Sequence, residues 1–252
     1  MPRGALTVVG TGIRVGLQLT PESRSAIDAA ETVLYLNAEP FANKWLLSLR
    51  PDAESLARFY RAGAERRDIY EAIVEAVLEP VRAGRRVCAA FYGHPGVFVR
   101  PSHEAIRRAR AEGFDARMLP AVSAEDCMFA DLGVDPALGG CASYDATGFL
   151  AQERPVDTAA ALVLWQVAAV GELRAVREGE HGRNLPVLVE RLLEHYPAEH
   201  EVVLYEGTPF PAGEPLIERL TLRALAEASP TPQATLYVPP VGDGAGDGAA
   251  AR

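Results

Sequence analysis

The sequence has few cysteines, few aromatic residues and no excess of positive charge. Its 252 residues include three cysteines, an odd number without a C-x-x-C pair, which argues against a disulfide framework or a zinc site. The net charge of −9 argues against a nucleic acid or an anionic membrane as the main partner. No apolar run reaches membrane-spanning length, and the chain begins with a strand pattern rather than a signal peptide. We therefore expect a cytoplasmic protein without a metal centre.

The sequence does contain enough apolar residues, 48%, for a full core. In its first half, short apolar strands alternate with helical stretches such as Arg66 to Ala83, which Gly84 follows. This alternation predicts a mainly parallel sheet covered by helices. Pro120 is a natural break, and strands and an amphipathic helix follow it. We predict two α/β lobes, residues 1–119 and 120–240, with a cleft between them and a disordered Gly/Asp/Ala tail at 241–252.

The most informative segment runs from Phe91 to Val99 and continues into a helix that we expect Ser102 to cap. A buried strand ends there, and a turn with two glycines, a proline and His94 follows Tyr92. Ligands of α/β proteins bind where such strands end. The segment therefore predicts a ligand-binding loop, in which His94 acts either as a base or as a group that orients the loop.

A second turn, Gly10-Thr11-Gly12, follows the first strand. The dinucleotide fingerprint requires a third glycine where Val15 stands and an acid where Asn37 stands. A conventional NAD site is therefore disfavoured. The turn would bring the backbone close either to a ligand or to another loop.

Two further sets of polar residues could carry chemistry. Arg66 and Tyr70 are neighbours on one helical face, with Tyr60 just upstream. Arginine beside phenols suits stabilising a carbonyl oxygen while a phenolate takes a proton, although such pairs are more often solvated or at the edge of a core. Gln166 ends an apolar strand, and its amide either ties loops together or recognises a ligand.

Together these stretches resemble the tetrapyrrole-methylase superfamily of S-adenosylmethionine (SAM)-dependent methyltransferases, and within it the borosin peptide backbone α-N-methyltransferases. The resemblance extends from Leu6 to about Pro240. The matching stretches are Thr7–Ile13, Phe91–Val99, Met118–Pro120, Ser123–Cys127, Phe129–Leu132 and Tyr237–Pro240.

The resemblance implies an α/β, two-lobed tetrapyrrole-methylase-like fold with SAM in the cleft between the lobes. It implies that the methyl-transfer site is lined by Tyr60, Arg66, Tyr70 and Tyr92. It further implies SAM contacts from Tyr92, His94, Val97, Ser123, Ala124, Gln166, Gly207, Ala234 and Thr235. Under this hypothesis Tyr70 is the base, with a pKa lowered by Arg66, while Arg66 and Tyr60 stabilise the carbonyl oxygen and Tyr92 positions the amide.

Fused borosin enzymes continue into a clasp and a hydrophobic core peptide, whereas this sequence ends in the Gly/Asp/Ala tail. The resemblance is therefore to the split type, which methylates a separate ribosomal precursor peptide iteratively and releases S-adenosylhomocysteine. The family also implies a homodimer, or a heterotetramer with two precursors.

Two alternatives share the fold. A precorrin-like C-methyltransferase would need a trough for a polyanionic macrocycle, which the net charge and the Tyr60, Arg66 and Tyr70 set disfavour. A non-catalytic SAM-binding scaffold is the other, and the intact phenols argue against it.

Overall fold

The computed structural model describes residues 4–37, 39–176 and 179–242, which form two compact units. The first unit comprises Met1–Ala130, Leu173–Ala175 and Gly207–Glu214, and the second comprises Asp131–Glu172, Val176–Glu206 and Pro215–Arg252. The predicted boundary at residue 119 thus lies inside the first unit. The predicted tail lies, from residue 243 onward, outside the described residues.

The first unit contains a five-stranded sheet whose strands pair in parallel in the order β3-β2-β4-β1-β5. Its strands are β1 (Ala5–Gly10), β2 (Thr32–Leu36), β3 (Glu54–Ser55), β4 (Arg86–Phe91) and β5 (Asp115–Met118). Its helices are α1 (Pro21–Ala29), α2 (Pro40–Leu49), α3 (Arg66–Arg82) and α4 (Arg100–Ala111), and α5 (Ala124–Leu132) continues into the second unit. The predicted parallel sheet of the first half is confirmed.

Helix α3 shows why these residues form these elements. Ile69, Ile73, Val77 and Val81 recur on one face, and all four are buried against the sheet. The helix ends before Gly84, which adopts a φ of +87° that favours glycine. The prediction for Arg66 to Ala83 is therefore correct to within one residue.

The second unit contains a mixed sheet in the order β6-β7-β10-β8-β9. Its strands are β6 (Cys141–Asp145), β7 (Ala161–Trp165), β8 (Glu201–Glu206), β9 (Leu216–Thr221) and β10 (Thr235–Val238), and its helices are α6 (Ala146–Ala151) and α7 (Leu185–Leu193). Only β6 and β7 pair in parallel, and the other neighbours are antiparallel. Two α/β units, each with its own sheet and apolar core, agree with the predicted fold class.

Ser102 does not have the predicted capping role. Helix α4 begins at Arg100, two residues earlier, and Val99 occupies the cap position without a side-chain hydrogen bond. Pro101 favours this start, because proline fits the first helical turn, where its missing N–H needs no partner. Among the described residues, no helix is both long and apolar enough to cross a membrane.

Candidate functional site

The carboxyl ends of β1 and β4 mark the place in the first sheet where ligands are expected. The connection that leaves β1 leads to β2 on one side, whereas the connection that leaves β4 leads past β1 to β5 on the other side. Adjacent strands with oppositely directed connections define the switch point at which α/β sheets bind ligands. The Gly10–Gly12 turn and the loop that begins at Tyr92 follow these two strands.

These two loops contact each other through their backbones. The Gly12 N–H donates to the Gly93 carbonyl at 3.3 Å, and the Gly93 N–H donates to the Gly12 carbonyl at 3.0 Å. A Cβ on Gly10 would lie 2.1 Å from the Gly93 carbonyl oxygen and 2.6 Å from the Cβ of Ala121, which follows β5. The glycine turn therefore approaches other loops, which is one of the two alternatives that the sequence left open.

The β4 loop carries three of the predicted SAM contacts, Tyr92, His94 and Val97, all of them half-buried. The Tyr92 N–H donates to the carbonyl of Leu36 at 3.2 Å, which joins the loop to the end of β2. The His94 Nδ1 accepts the N–H of Gly96 at 2.9 Å. In the neutral ring the proton is therefore on Nε2, which has no hydrogen-bond partner in the described part of the chain.

Ser123 and Ala124 lie at the start of α5. The buried Ser123 hydroxyl donates to Asp126 Oδ2 at 2.6 Å and accepts the Asp126 N–H at 3.1 Å. The Ser123 N–H also donates to Asp126 Oδ2, at 2.7 Å. This reciprocal capping box begins helix α5. It also engages the serine's polar groups, so Ser123 shapes the loop after β5.

The structure brings Tyr60, Arg66 and Tyr70 together. Tyr60 follows a 3₁₀ helix at Leu56–Phe59, while Arg66 and Tyr70 lie in the first turns of α3. The Tyr60 residue is 45% exposed, but its hydroxyl is largely desolvated. This desolvation, together with the nearby Tyr70, raises the pKa of Tyr60 to about 12, while Arg66 has the opposite effect. Tyr60 is therefore a hydrogen-bond donor at neutral pH.

Arg66 is a half-buried cation that, within the described ranges, forms no ion pair with a carboxylate. Its backbone is fixed by a neighbouring segment, because the Arg66 N–H donates to the Leu173 carbonyl at 3.1 Å. Ala175 donates to Ala64 at 3.0 Å, and Gly63 donates to Ala175 at 3.2 Å. An unneutralised guanidinium beside two phenols suits stabilisation of a negatively charged oxygen.

The remaining predicted residues lie at or next to the ends of strands in the second sheet. Gln166 ends β7 with a left-handed φ of +58°. Thr235 opens β10 opposite Tyr205, and the β7–β10 register places Ala234 beside Gln166 at the same edge of the sheet. Gly207 directly follows β8 and belongs to the first unit. The Gln166 side-chain amide makes no hydrogen bond to another described residue.

Gln18 is a site residue that the sequence did not reveal. Its Oε1 accepts the N–H groups of Ile13 and Arg14, both at 2.8 Å, and its Nε2 lies 3.5 Å from the Cys127 Sγ. Gln18 thus holds the loop after β1 in place. No motif includes Gln18, and its contact with Cys127 joins residues 109 positions apart. In the described part of the chain, no three His, Cys, Asp or Glu side chains could together hold a metal ion.

Comparison with known proteins identifies the family. The model of the tetrapyrrole (corrin/porphyrin) methylases matches residues 5–225, which is most of the chain. The chain belongs to the tetrapyrrole methylases.

Several curated relatives of this tetrapyrrole methylase are fusions of a methyltransferase with a peptide precursor. It is 41% identical over 241 residues to the methyltransferase/ribosomally synthesized cyclic peptide gymnopeptides precursor of Gymnopus fusipes and to the corresponding omphalotin A precursor of Omphalotus olearius. It is 37% identical to a type II borosin cyclic peptide precursor of Phlebiopsis gigantea. The matches cover 94% of this chain but only 57%, 58% and 43% of the relatives. The chain therefore spans less than two thirds of their length.

Solved structures support the fold of this tetrapyrrole methylase. The uroporphyrin-III C-methyltransferase of Thermus thermophilus complexed with S-adenosylhomocysteine has a TM-score of 0.63 and 20% identity, covering 94% of this chain and 92% of that chain. A second structure of the same enzyme gives a TM-score of 0.62 at 23% identity. At these identities the likeness shows the fold alone.

Proposed function

We propose that this protein is a SAM-dependent methyltransferase whose acceptor is a backbone amide nitrogen of a peptide. The observation that carries this proposal is the Tyr60, Arg66 and Tyr70 cluster, in which a cation without a carboxylate partner lies beside two phenols. The relatives are named both as methyltransferases and as precursors of ribosomally synthesized cyclic peptides, and these names support the proposed peptide acceptor.

The residues at the strand ends fit SAM as a polar ligand. His94 Nε2–H and the Gln166 amide both have hydrogen-bonding capacity that no described residue uses. The left-handed backbone of Gln166 is sparsely populated for non-glycine residues, and such conformations are concentrated at functional sites. SAM would be held by Tyr92, His94, Val97, Ser123, Ala124, Gln166, Gly207, Ala234 and Thr235.

The catalytic difficulty lies in the amide, because its nitrogen lone pair is delocalised into the carbonyl group. When bound, SAM supplies a methyl group activated on a positively charged sulfur. Tyr70, as phenolate, accepts the amide proton on its oxygen while negative charge shifts to the carbonyl oxygen. Arg66 and the protonated Tyr60 hydroxyl stabilise that oxygen by charge-assisted hydrogen bonds. Tyr92 orients the amide, which matters because the nucleophile is weak.

A porphyrinoid acceptor is the second candidate, and the family description supports it. This acceptor does not need a proton taken from an amide, and so it gives the phenol pair no role. The two candidate functions therefore predict different methylated products, a peptide in one case and a porphyrinoid in the other.

The test uses the full chain with SAM carrying a deuterated methyl group. Acceptors are the precursor portion of the omphalotin A relative, each small open reading frame next to the gene in co-expression, and uroporphyrinogen III. Label on peptide backbone nitrogens, located by tandem mass spectrometry, is expected. Label only on the macrocycle, or SAM binding without transfer to any of these acceptors, would overturn the proposal.

A further inference from the structure

Two side chains of the first turn of α4 bond to the loop that precedes the helix. Ser102 is completely buried, and its one hydroxyl hydrogen is shared between the Pro95 carbonyl and, at 2.7 Å, the Val99 carbonyl. The next residue, His103, places its Nε2 2.9 Å from the Gly96 carbonyl oxygen. Because a carbonyl oxygen only accepts, His103 Nε2 must carry the hydrogen. Two successive carbonyl groups of the β4 loop are therefore held from one helix.

The loop itself has a conformation that needs such support. Gly93, with a φ of +66°, and Phe98, with a φ of +55°, bracket it in the left-handed region. That region is uncommon for a bulky residue such as Phe98. Between them, the Gly96 N–H orients the His94 ring, and a Cβ on Gly96 would lie 3.0 Å from the Met118 Sδ. A change at the Pro95 or Gly96 carbonyl would therefore alter the His94 ring and Val97.

Helix α4 does not require these two side chains for its own start. Its cap residue is Val99, Pro101 occupies the first turn, and the Ser102 N–H bonds to the Val99 carbonyl through the backbone. The contacts of Ser102 with Pro95 and of His103 with Gly96 each span seven residues, and both reach carbonyls that lie before the helix begins at Arg100. These contacts therefore act on the loop.

We infer that Ser102 and His103 are positioning residues of the cofactor loop: they hold the Pro95 and Gly96 carbonyls so that His94 and Val97 face SAM in one conformation. This inference rests on the proposed binding of SAM. Loss of either side chain weakens SAM binding, because the loop must then be ordered at the moment of binding.

The test compares the full-length wild type with Ser102→Ala, His103→Leu and His103→Gln, using calorimetric titration with SAM alone. Ser102→Ala and His103→Leu should raise the Kd for SAM about tenfold, which corresponds to about 1.4 kcal/mol. His103→Gln should stay within about threefold of wild type, because its amide N–H replaces Nε2–H as a donor. Arg107→Ala, one turn further along the exposed face, is the matched control and should leave Kd unchanged.

A second measurement separates positioning from general destabilisation. In hydrogen exchange, the Gly96 and Val97 amides of Ser102→Ala and His103→Leu should exchange faster, while the amides of the α4 interior should be protected as in wild type. With SAM saturating, kcat should return to near the wild-type value.

The outcomes are distinguishable. If wild type does not bind SAM, the proposed function fails. If wild type binds SAM and His103→Leu binds it equally well, the positioning role is wrong while the proposed function stands. Should Ser102→Ala fail to fold, the His103→Leu and His103→Gln pair still decides the matter.

Discussion

Arg66 is the residue on which methyl transfer should depend most, because it is the cation beside the two phenols. Arg66→Ala should lower kcat by about 10²–10³-fold, the loss typical of removing one oxyanion-stabilising group. SAM affinity should not change, since Arg66 is not among the residues that we assign to the cofactor. Single-turnover kinetics and SAM titration measure both quantities. Arg67→Ala, the exposed neighbour, is the control, and a wild-type rate in Arg66→Ala would exclude the assignment.

Tyr60 should act as a hydrogen-bond donor and not as a base. Its pKa of about 12 keeps the hydroxyl protonated throughout the range from pH 6 to pH 10. Tyr60→Phe should therefore lower kcat about tenfold. The ratio of the two kcat values should be the same throughout this pH range. The measurement is the pH–rate profile of both proteins. A ratio that changes between pH 7 and pH 9 would show that Tyr60 titrates during catalysis.

Gly10 should tolerate no side chain, because a Cβ would lie 2.1 Å from a backbone oxygen. Gly10→Ala should destabilise the fold by about 1–3 kcal/mol, as overpacking does. Gly148→Ala is a matched control inside α6, where the nearest atom would be 3.6 Å away. It should stabilise by about 0.5–1 kcal/mol, because alanine is the better helix former. Urea unfolding measures the change in unfolding free energy for both variants. The same change in both would contradict the close approach of Gly10 to the Gly93 carbonyl oxygen.

At the scale of elements, the segment Leu173–Ala175 fixes the start of α3. Glu65 offers no side-chain cap, so the Leu173 carbonyl supplies the partner of the Arg66 N–H. Ala175→Pro removes the N–H that donates to Ala64, and the extended Arg174 accommodates a following proline. We expect kcat to fall about tenfold, with a loss of stability of about 1 kcal/mol.

The control for this segment is Arg174→Ala. It removes only the exposed ion pair of Arg174 with Glu65 and should cost less than about 1 kcal/mol without changing kcat. If Ala175→Pro has the wild-type kcat, then the segment does not position Arg66.

Ion pairs of Glu104 with Arg107 and Arg108, all within helix α4, should make stability depend on pH. Hydrogen bonds from Arg107 and Arg108 lower the pKa of Glu104 to about 2, below the value of about 4.3 for an unfolded chain. The stabilisation is therefore complete above about pH 5 and is lost as the pH falls toward 2. Glu104→Gln should lower Tm by a few degrees at pH 7 and by progressively less below pH 4.

Thermal unfolding between pH 2 and pH 7 measures this difference. Glu190→Gln, on the exposed face of α7, is the control and should show no such dependence. If the difference in Tm between wild type and Glu104→Gln stayed constant down to pH 2, the lowered pKa of Glu104 would be contradicted.

The elements that could be predicted from sequence are those with strong apolar patterns. The strands of the first half were predicted as short apolar runs, and β2 and β4 show why, because buried parallel strands form continuous apolar runs. Strands β6 and β9 and helix α6 have no such pattern in the sequence. Strand β9 is exposed along most of its length and strand β6 is only half-buried, so neither shows a usable period.

At the scale of the whole molecule, the candidate site depends on contacts that the sequence does not encode locally. The resemblance indicated Arg66 and Tyr60, but neither Gln18 and Ser102 nor the segment at 173–175. That segment bonds to the backbone of residues 63, 64 and 66, which are far from it in the sequence. The units are also not continuous in the sequence, because residues 173–175 and 207–214 belong to the first unit. The homodimer and the separate precursor stay predictions.

The acceptor peptide could lie on the same polypeptide or on another one. Mixing the purified chain with a precursor peptide of different mass distinguishes these cases. We predict that the deuterated methyl label appears on the added peptide at a rate proportional to its concentration. Label confined to the enzyme's own chain would show methylation in cis and contradict the expectation of a separate precursor.

The central claim is tested most directly by tandem mass spectrometry of the peptide after reaction with deuterated SAM, for wild type and Arg66→Ala in parallel. We predict labelled methyl groups on backbone amide nitrogens with wild type, and almost none with Arg66→Ala at equal SAM occupancy. Label on side chains, or equal label with both proteins, would contradict backbone N-methylation by this cluster.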